Sequence, residues 1–223
     1  INRVNSGYNS LNINNSICSA SAIRNALKTD SLETINYTMP KPTYDLINDT
    51  VNSGVNLVYN DDFYQILSSI ILRDKDNLTD YFEVNEGIEN KIYNSIFKCQ
   101  NIEELQNEIK SKRYTMTKIS RTLNNIMLGI KRDDILKTKD LKEMPYVRVL
   151  AFNDKGCEIL KEIKKNSEIE VITKFSKIKH IDSDIFNTLI NYDIKATNMY
   201  SLIYNKSLLK GPMDYITSPK YIK

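Results

Sequence analysis

The sequence predicts an α+β protein that is predominantly helical, with a helical block followed by a small β-α-β unit and C-terminal helices. Apolar residues recur at helical spacing over residues 44–128. Farther along, two short stretches rich in β-branched and aromatic residues, 146–152 and 170–175, flank one amphipathic helix. Two strands joined by one helix imply a right-handed crossover and parallel pairing. A chain of 223 residues, 41% of them hydrophobic, is long enough to bury a sizeable core.

The composition is that of an ordinary globular protein, and it excludes several classes of protein and several kinds of functional site. With 26% charged and 41% hydrophobic residues, the chain does not resemble a disordered protein. The longest apolar runs, such as Ile70–Leu72, are far too short to cross a membrane. Three widely spaced cysteines, Cys18, Cys99 and Cys157, indicate neither a disulfide framework nor a zinc site, and they favour a reduced cytoplasmic compartment. The single histidine, His180, argues against a Ser-His-Asp triad and against a multi-histidine metal site.

A capped helix is predicted near the start of the chain. Ser19 or Ser21 is a suitable N-cap, and Arg24 follows one turn later. Hydroxyls, backbone amides and a guanidinium at a helix N-terminus suit a phosphate group, while a purely structural cap fits the same residues. A second short helix is predicted over Ser31–Tyr37. The two prolines of Met39–Pro42 then mark a boundary and an extended chain.

Four helices are predicted in the block that follows. Each has apolar residues on one face, as an amphipathic helix packed on a core requires. Gly54 is a C-terminal stop signal, and Asn101 with Glu104 forms a capping box. The predicted helices cover Tyr44–Ser53, Asp61–Arg73, Val84–Cys99 and Asn101–Ile109.

The β-α-β unit is predicted to be followed by helices up to the end of the chain. Between the two strands, Asn153–Gly156 is predicted to form a turn and Cys157–Lys165 a helix. Two separate helices, Ser183–Tyr192 and Ile194–Tyr204, are predicted next. After Gly211–Pro212 the chain is predicted to be a loose tail.

The positive charge of the chain is concentrated in residues 110–132. This stretch holds seven basic residues and no acidic one, while the whole chain carries a net charge of only +3, so the remaining residues sum to −4. Its second half is predicted to form an amphipathic helix with Thr115 as N-cap. The apolar stripe of this helix contains Ile119, Leu123, Ile126, Met127 and Ile130. Uncompensated cations on the outward face of an anchored helix are typical of a surface that binds a polyanion.

We interpret this surface as a site for the phosphate backbone of RNA or DNA, with a solvated helix face as the alternative. The residues predicted to contact phosphates are Lys110, Lys112, Arg113, Lys118 and Arg121. Tyr114, in the loop before the helix, is predicted to stack on an unpaired base. Glu86 and Glu89 lie at the start of another predicted helix, where they either complement the helix dipole or hold the basic loop in place.

Three segments carry a family resemblance. Residues 17–24 have the sequence ICSASAIR, residues 86–92 EGIENKI and residues 110–121 KSKRYTMTKISR. They are similar to the ISATSIR, EGLENRI and KTKRYTxTRxxR segments of bacterial tRNA(Met) cytidine acetate ligase, a nucleotidyltransferase-like enzyme. Residues 150–156, LAFNDKG, also fit. The order and separation of these segments make the set specific, and together they cover nearly the whole chain.

The resemblance implies an enzyme that uses ATP, with Mg²⁺, to activate acetate as acetyl-adenylate. It implies transfer of the acetyl group to N4 of the wobble cytidine of elongator tRNA(Met). The ATP-binding positions that it implies are Arg3, Val4, Ser19, Ser21 and Arg24. Cys18 stands where the family has a serine, so a hydroxyl contact is missing from the implied site. The tRNA-binding residues that it implies coincide with the basic stretch, whose Tyr114 would then stack on a base of the anticodon loop.

The resemblance also implies a domain organisation. Residues 1–40 are expected to end a nucleotidyltransferase-like α/β domain that binds ATP, residues 41–144 to form a helical RNA-binding region, and residues 145–223 to form a small α/β unit with C-terminal helices. The His-x-Gly-His signature of the family does not occur in this sequence. We therefore interpret the chain as the C-terminal portion of the enzyme, without catalytic residues of its own, inactive alone but able to bind tRNA. Two alternatives remain, a non-catalytic RNA-binding or scaffolding module and an adenylyltransferase that acts on a small metabolite.

Overall fold

The computed structural model describes residues 11–13, 16–29, 32–178, 183–204 and 212–222. The chain divides into two compact units, Ile1–Leu57 and Val58–Lys223. The predicted fold class is confirmed, because helices dominate the described residues of both units and the strands among these residues form short two-stranded sheets. The expected three-part division into functional domains stays a prediction.

Within its described residues, the first unit contains three short helical elements around a small apolar core. They are α1 (Ala20–Thr29), a 3₁₀ helix (Leu32–Thr38) and α2 (Lys41–Asn52). Buried Ala26, Ile35 and Met39 form the centre of the core. Helix α2 begins three residues before the predicted start because Pro42 lies in its first turn, where the missing N–H costs nothing. The expected extended chain at this proline is therefore wrong.

The helical part of the second unit contains the largest core. Its helices are α3 (Tyr64–Arg73), α4 (Ile88–Ser95), α5 (Ile102–Ile109), α6 (Met116–Leu128) and α7 (Arg132–Thr138), with 3₁₀ helices at Asn60–Phe63, Lys75–Asp80 and Ile96–Lys98. Helix α6 packs on α3 and α5, and α4 packs on α5. Ile71, Ile92, Leu105, Ile119 and Ile126 are each 0% exposed at the centre of this core. The predicted apolar faces are thus the buried faces.

Helix α4 begins four residues later than predicted. The backbone φ angles of Glu83, Glu86 and Gly87 are 64°, 61° and 86°, in the left-handed region. A residue in that region cannot continue a right-handed α-helix. The segment before Ile88 is therefore irregular, and the basic side chains contact this segment.

The predicted β-α-β unit is confirmed. Strands β1 (Tyr146–Arg148) and β3 (Glu170–Ile172) pair in parallel, and β2 (Ala151–Phe152) and α8 (Asp154–Asn166) lie between them in the chain. Helix α8 begins inside the predicted turn, because the Asn153 side chain accepts a 3.0 Å hydrogen bond from the Gly156 N–H and so caps the helix.

The first predicted strand is divided in two, and the second is shorter than predicted. Val149 donates a 2.9 Å backbone hydrogen bond to Ile172, after which β2 leaves β3. It pairs instead with a strand that the sequence did not reveal, β4 (Lys220–Tyr221). The chain after β3 turns into a 3₁₀ helix at Phe175–Lys177.

The last helices also differ from the prediction. A single helix, α9 (Asp184–Tyr204), replaces the two expected helices. Asp193, where the break was expected, accepts a 2.8 Å hydrogen bond from the Tyr146 hydroxyl, so its carboxylate is engaged away from the backbone. After Pro212, helix α10 (Met213–Ile216) and β4 take the place of a loose tail. Among the described residues, no helix is both long and apolar enough to span a bilayer.

Candidate nucleic-acid interface

The predicted basic residues lie together at the junction of α5 and α6. We call the following five the basic cluster: Lys110, Lys112, Arg113, Lys118 and Arg121. Lys110 ends α5, and the loop that follows leads to Thr115, whose hydroxyl accepts a 3.3 Å hydrogen bond from the Lys118 N–H and caps α6. Lys110, Lys112 and Arg113 are exposed in this loop, and the side chain of Arg121 is 60% exposed on the helix. The prediction of a capped helix after a basic loop is confirmed.

The buried face of α6 anchors the cluster. Ile119 and Ile126 are 0% exposed and Leu123 is 3% exposed, in the core shared with α3 and α5. Met127 is partly buried against the same core. Because this face is fixed by packing, the basic side chains on the opposite face have a rigid backbone beneath them.

Three of the five cluster cations are compensated by carboxylates, contrary to the prediction. Arg121 forms an ion pair with Glu83 at 3.0 Å, and Glu86 lies 3.5 Å from both Arg113 and Lys118. These glutamates are about 30 residues away in the sequence, so a search within residues 110–132 could not find them. The pairs lie at the surface, where the side chains of Arg113 and Glu86 are 62% and 51% exposed. Surface pairs of this kind contribute roughly 0–1 kcal/mol each.

Hydrogen bonds to the backbone of neighbouring residues hold the acidic residues beside the cluster. We call residues 80–86 the acidic segment. The N–H of Phe82 donates to the Ile130 carbonyl at 2.9 Å, and the Asn125 side chain donates to the Phe82 carbonyl at 2.9 Å. The Arg132 guanidinium donates to the Val84 carbonyl at 2.7 Å. The acidic segment is thus attached along α6 and its C-terminal end.

The two basic residues at the far end of the stretch have structural contacts. Lys131 lies 3.7 Å from the carboxylate of Asp80 and 4.2 Å from the ring centroid of Tyr81. Its backbone also forms an antiparallel bridge with Tyr81. Arg132 is engaged with the acidic segment through its guanidinium. Lys131 and Arg132 thus differ from the exposed loop residues, because their side chains contact the acidic segment.

The role predicted for Tyr114 needs correction. Its ring is only 6% exposed, so its faces are not accessible to a base. The hydroxyl donates a 2.6 Å hydrogen bond to the Glu86 carbonyl. Arg113 and Lys118 lie 5.8 and 5.6 Å from its ring centroid. Tyr114 therefore positions the basic loop against the acidic segment. Glu86 contacts this loop, which agrees with one of its two predicted roles, that of holding the loop in place.

Three of the five residues implied for nucleotide binding, Ser19, Ser21 and Arg24, lie around the N-terminus of α1. Arg3 and Val4 are outside the described residues. The Ser19 hydroxyl accepts a 3.0 Å hydrogen bond from the Ala22 N–H, and Ser19 is 1% exposed, so its hydroxyl caps the helix and is shielded from direct contact with a nucleotide. Ser21 and Arg24 are exposed on one face, with the guanidinium 3.4 Å from the Ser21 hydroxyl.

A hydroxyl and a guanidinium at the positive end of a helix dipole fit a phosphate group. This donor set suits the phosphates of ATP. Within the described part of the chain, no group of three or more His, Cys, Asp or Glu side chains is placed to hold a metal ion.

Comparisons with known proteins extend over almost the whole chain. The family model for HIGH Nucleotidyl Transferase matches residues 1–212. A protein of Clostridium acetobutylicum named tRNA(Met) cytidine acetate ligase is 43% identical over 217 residues, which cover 96% of this chain and 50% of that protein. Its namesake from Clostridium perfringens strain ATCC 13124 is 39% identical over 220 residues, covering 98% of this chain and 51% of that protein. The chain spans about half the length of the curated relatives it matches.

Solved structures share the fold. The crystal structure of Thermotoga maritima TmcAL in its apo form I has a TM-score of 0.88 at 24% identity, covering 100% of this chain and 55% of that one. The form II crystal structure of the same protein bound with alpha-thio ATP has a TM-score of 0.80 and covers 92% of this chain and 52% of that one. Since the family model matches far more than half of the sequence, the chain belongs to the HIGH nucleotidyl transferase family.

Proposed function

We propose that this chain is part of an ATP-dependent ligase that acetylates N4 of the wobble cytidine of tRNA(Met), and that its basic cluster binds the tRNA backbone. Relatives at 43% and 39% identity are named for this ligase activity. The observation that carries the RNA-binding part is the basic cluster itself, which lies on α6 and the loop before it, with four of its five side chains exposed. The proposed reaction belongs in the cytoplasm, where tRNA is modified.

The ion pairs of the cluster are compatible with RNA binding. Each pairs an exposed or partly exposed cation with a surface carboxylate, so little free energy is lost when a phosphate takes the place of the carboxylate. Arginine–phosphate contacts are charge-assisted and often bidentate, as the Arg121–Glu83 pair is, so a phosphate can take the place of that carboxylate without loss of hydrogen bonds. Phosphate contacts also release counterions from RNA, and this release favours binding further.

Replacement of three cluster cations tests the proposal. In the variant Lys112→Ala/Arg113→Ala/Arg121→Ala, we expect tRNA(Met) affinity to fall roughly tenfold or more and the salt dependence to flatten by about three counterions, since each phosphate contact contributes about one. Fluorescence anisotropy over a range of salt concentrations measures both quantities.

The matched control removes the same charge elsewhere. Lys161→Ala/Lys164→Ala/Lys165→Ala takes three cations from α8, and we expect this variant to retain the wild-type affinity and salt slope. Equal losses in both variants would indicate non-specific attraction to net charge. An unchanged slope in the cluster variant would leave the cluster as a solvated surface.

We also propose that the exposed face of α1 contacts the phosphates of ATP. Ser21 supplies a hydroxyl and Arg24 a guanidinium, while Ser19 holds the helix start in shape. The implied contacts of Arg3 and Val4 and a Mg²⁺ ion belong to the same proposal. In a titration up to millimolar ATP, Arg24→Ala should weaken binding about tenfold, as expected for loss of one charge-assisted hydrogen bond. Lys41→Ala, which removes a cation paired with Asp45 in the same unit, should leave ATP binding unchanged.

The products released from ATP distinguish a ligase from the two alternatives, an RNA-binding module and an adenylyltransferase that acts on a metabolite. Formation of acetyl-adenylate releases pyrophosphate, and attack of the cytidine amine on the acetyl carbon then releases AMP. An enzyme of this kind releases AMP only when acetate and tRNA are both present. A non-catalytic RNA-binding module releases neither product, and an adenylyltransferase acting on a metabolite releases pyrophosphate but no AMP, because the AMP stays on its product.

A further inference from the structure

Two glutamates occupy positions on the basic cluster that resemble those of bound phosphates. We propose that Glu83 and Glu86 are internal competitors of RNA, whose carboxylates must be displaced from the cluster before phosphates can bind, and that they thereby set the affinity for tRNA. The inference rests on the proposed RNA-binding function of the cluster. It assigns a role in tRNA affinity to two carboxylates, of which only Glu86 had a role predicted from the sequence, and then only as a support for the basic loop or the helix dipole.

The contacts of both carboxylates are those of an oxyanion. The Nε and Nη2 atoms of Arg121 each lie 3.0 Å from a different oxygen of Glu83, a two-pronged arrangement that a phosphate also adopts with arginine. One oxygen of Glu86 lies 3.5 Å from Arg113 Nε and 3.5 Å from Lys118 Nζ, so two cations share it. Three of the five cluster cations are therefore occupied in the protein alone.

The backbone presents these two carboxylates from unusual conformations. Glu83 and Glu86 are the non-glycine residues with positive φ in the described part of the chain, at 64° and 61°. Such conformations persist only where the surroundings hold them, and they concentrate at functional sites. Here the Glu86 carbonyl accepts from Tyr114, and the intervening Val84 carbonyl accepts from Arg132. The backbone stays beside the cluster, and displacement requires only rotation of the two side chains.

The remaining cations provide a first contact for RNA. Lys110 and Lys112 are exposed and form no ion pair with the described residues. They can bind phosphates without displacing a carboxylate. An RNA that reaches only these two lysines binds weakly, while one that also matches Arg113, Lys118 and Arg121 gains contacts as the glutamates rotate away. Because the competing carboxylates are covalently attached, they oppose binding at every RNA concentration.

The variant Glu83→Gln/Glu86→Gln tests this role. Glutamine keeps the size and backbone preference of glutamate but removes the charge, so the fold is retained. We expect tRNA(Met) binding to tighten about threefold to tenfold at ~0.1 M salt, since two nearby negative charges are lost. The salt slope should change by no more than about one counterion, because Arg121 and Arg113 contact the same phosphates in both proteins and only the displacement of the carboxylates is removed. Each single variant should show part of the effect, which guards against a folding defect in the double variant.

A charge control, together with the triple alanine variant described above, distinguishes failure of this inference from failure of the proposed RNA interface. Glu158→Gln/Glu168→Gln changes the net charge equally at two exposed positions and should leave affinity unchanged. If the double variant binds tRNA as the wild type does, or more weakly, the glutamates orient the cations instead of competing with RNA, and the inference is wrong. If removal of Lys112, Arg113 and Arg121 has no effect either, the proposed RNA interface fails together with it.

Discussion

The hydroxyl of Tyr114 donates a 2.6 Å hydrogen bond to the backbone carbonyl of Glu86, across 28 residues of sequence. This contact joins the basic loop before α6 to the acidic segment. It fixes the ring of Tyr114 in the interior and, through the carbonyl, the position from which the Glu86 side chain reaches Arg113 and Lys118. The arrangement of charge on this surface therefore depends in part on this polar contact.

Replacement of Tyr114 by phenylalanine should reveal that dependence. Tyr114→Phe keeps the buried ring but leaves the Glu86 carbonyl without this donor, which should lower the free energy of unfolding by about 1 kcal/mol. Urea unfolding measures the loss. We also expect a change in tRNA affinity, since the loop is less well fixed against the acidic segment. An unchanged unfolding free energy would show that water replaces the hydroxyl without cost.

Low pH should lower the free energy of unfolding through protonation of Asp74. Hydrogen bonds from Arg73 and then from the Tyr81 hydroxyl lower the pKa of Asp74 from 3.8 to about 2. A carboxylate with a lowered pKa in the folded state contributes stability above its ordinary pKa, and this contribution disappears as the pH falls towards the lowered value. Asp74→Asn should therefore reduce the decrease in the free energy of unfolding between about pH 5 and pH 2. If the variant and the wild type lose the same stability over this range, Asp74 does not contribute to the acid dependence.

The ion pair of Arg148 and Asp214 should be essential for the stability of the β-α-β unit. The side chain of Asp214 is 2% exposed, and that of Arg148 is 30% exposed and lies 4.8 Å from the ring centroid of Phe175. Arg148→Ala leaves a buried carboxylate without its cation, which should cost about 3 kcal/mol or more. The double variant Arg148→Met/Asp214→Leu should recover much of this loss, because no buried charge remains. Calorimetry of the three proteins measures the difference, and a loss below about 1 kcal/mol in Arg148→Ala would mean that Asp214 is neutral or solvated.

Gly129 should resist substitution for a backbone reason. It ends α6 with φ of 69°, and an added Cβ would lie 3.9 Å from Lys195 Nζ, an ordinary contact distance. Gly129→Ala should therefore cost about 1 kcal/mol from the left-handed conformation alone. Gly129→Asn should cost less, since asparagine adopts this conformation more readily. Equal thermal stability of both variants and the wild type would show that the chain can end α6 in another way.

Local signals in the sequence were sufficient for most helices. Asn101 and Glu104 are three residues apart, and the structure contains the predicted 2.8 Å hydrogen bond from the Glu104 N–H to the Asn101 side chain. Thr115 caps α6 in the same way, and Gly54 follows α2 in a left-handed conformation. Such signals depend on neighbours within one helical turn, so they can be recognised without knowledge of the tertiary structure.

The candidate site was only partly predictable. Five basic positions and the apolar stripe beneath them followed from charge and periodicity, and the family resemblance indicated what such a surface binds. The burial of Tyr114 could not be predicted from the sequence, because an aromatic residue in a polar loop can either stack on a base or pack in the protein interior. The Ser19 hydroxyl likewise fits both a cap and a phosphate contact until its 1% exposure and its bond to Ala22 are known.

The sequence by itself determined the fold class, the approximate position of most helices and the presence of a basic helix, because propensity, capping and periodicity act over a few residues. Only the tertiary structure decided that Glu83 and Glu86 form ion pairs with the basic cluster, that α9 is continuous, and that β2 pairs with β4. These features arise from contacts between residues tens of positions apart. Electrostatic interactions depend on distance in space, so the charge of a surface cannot be obtained from one stretch of the chain.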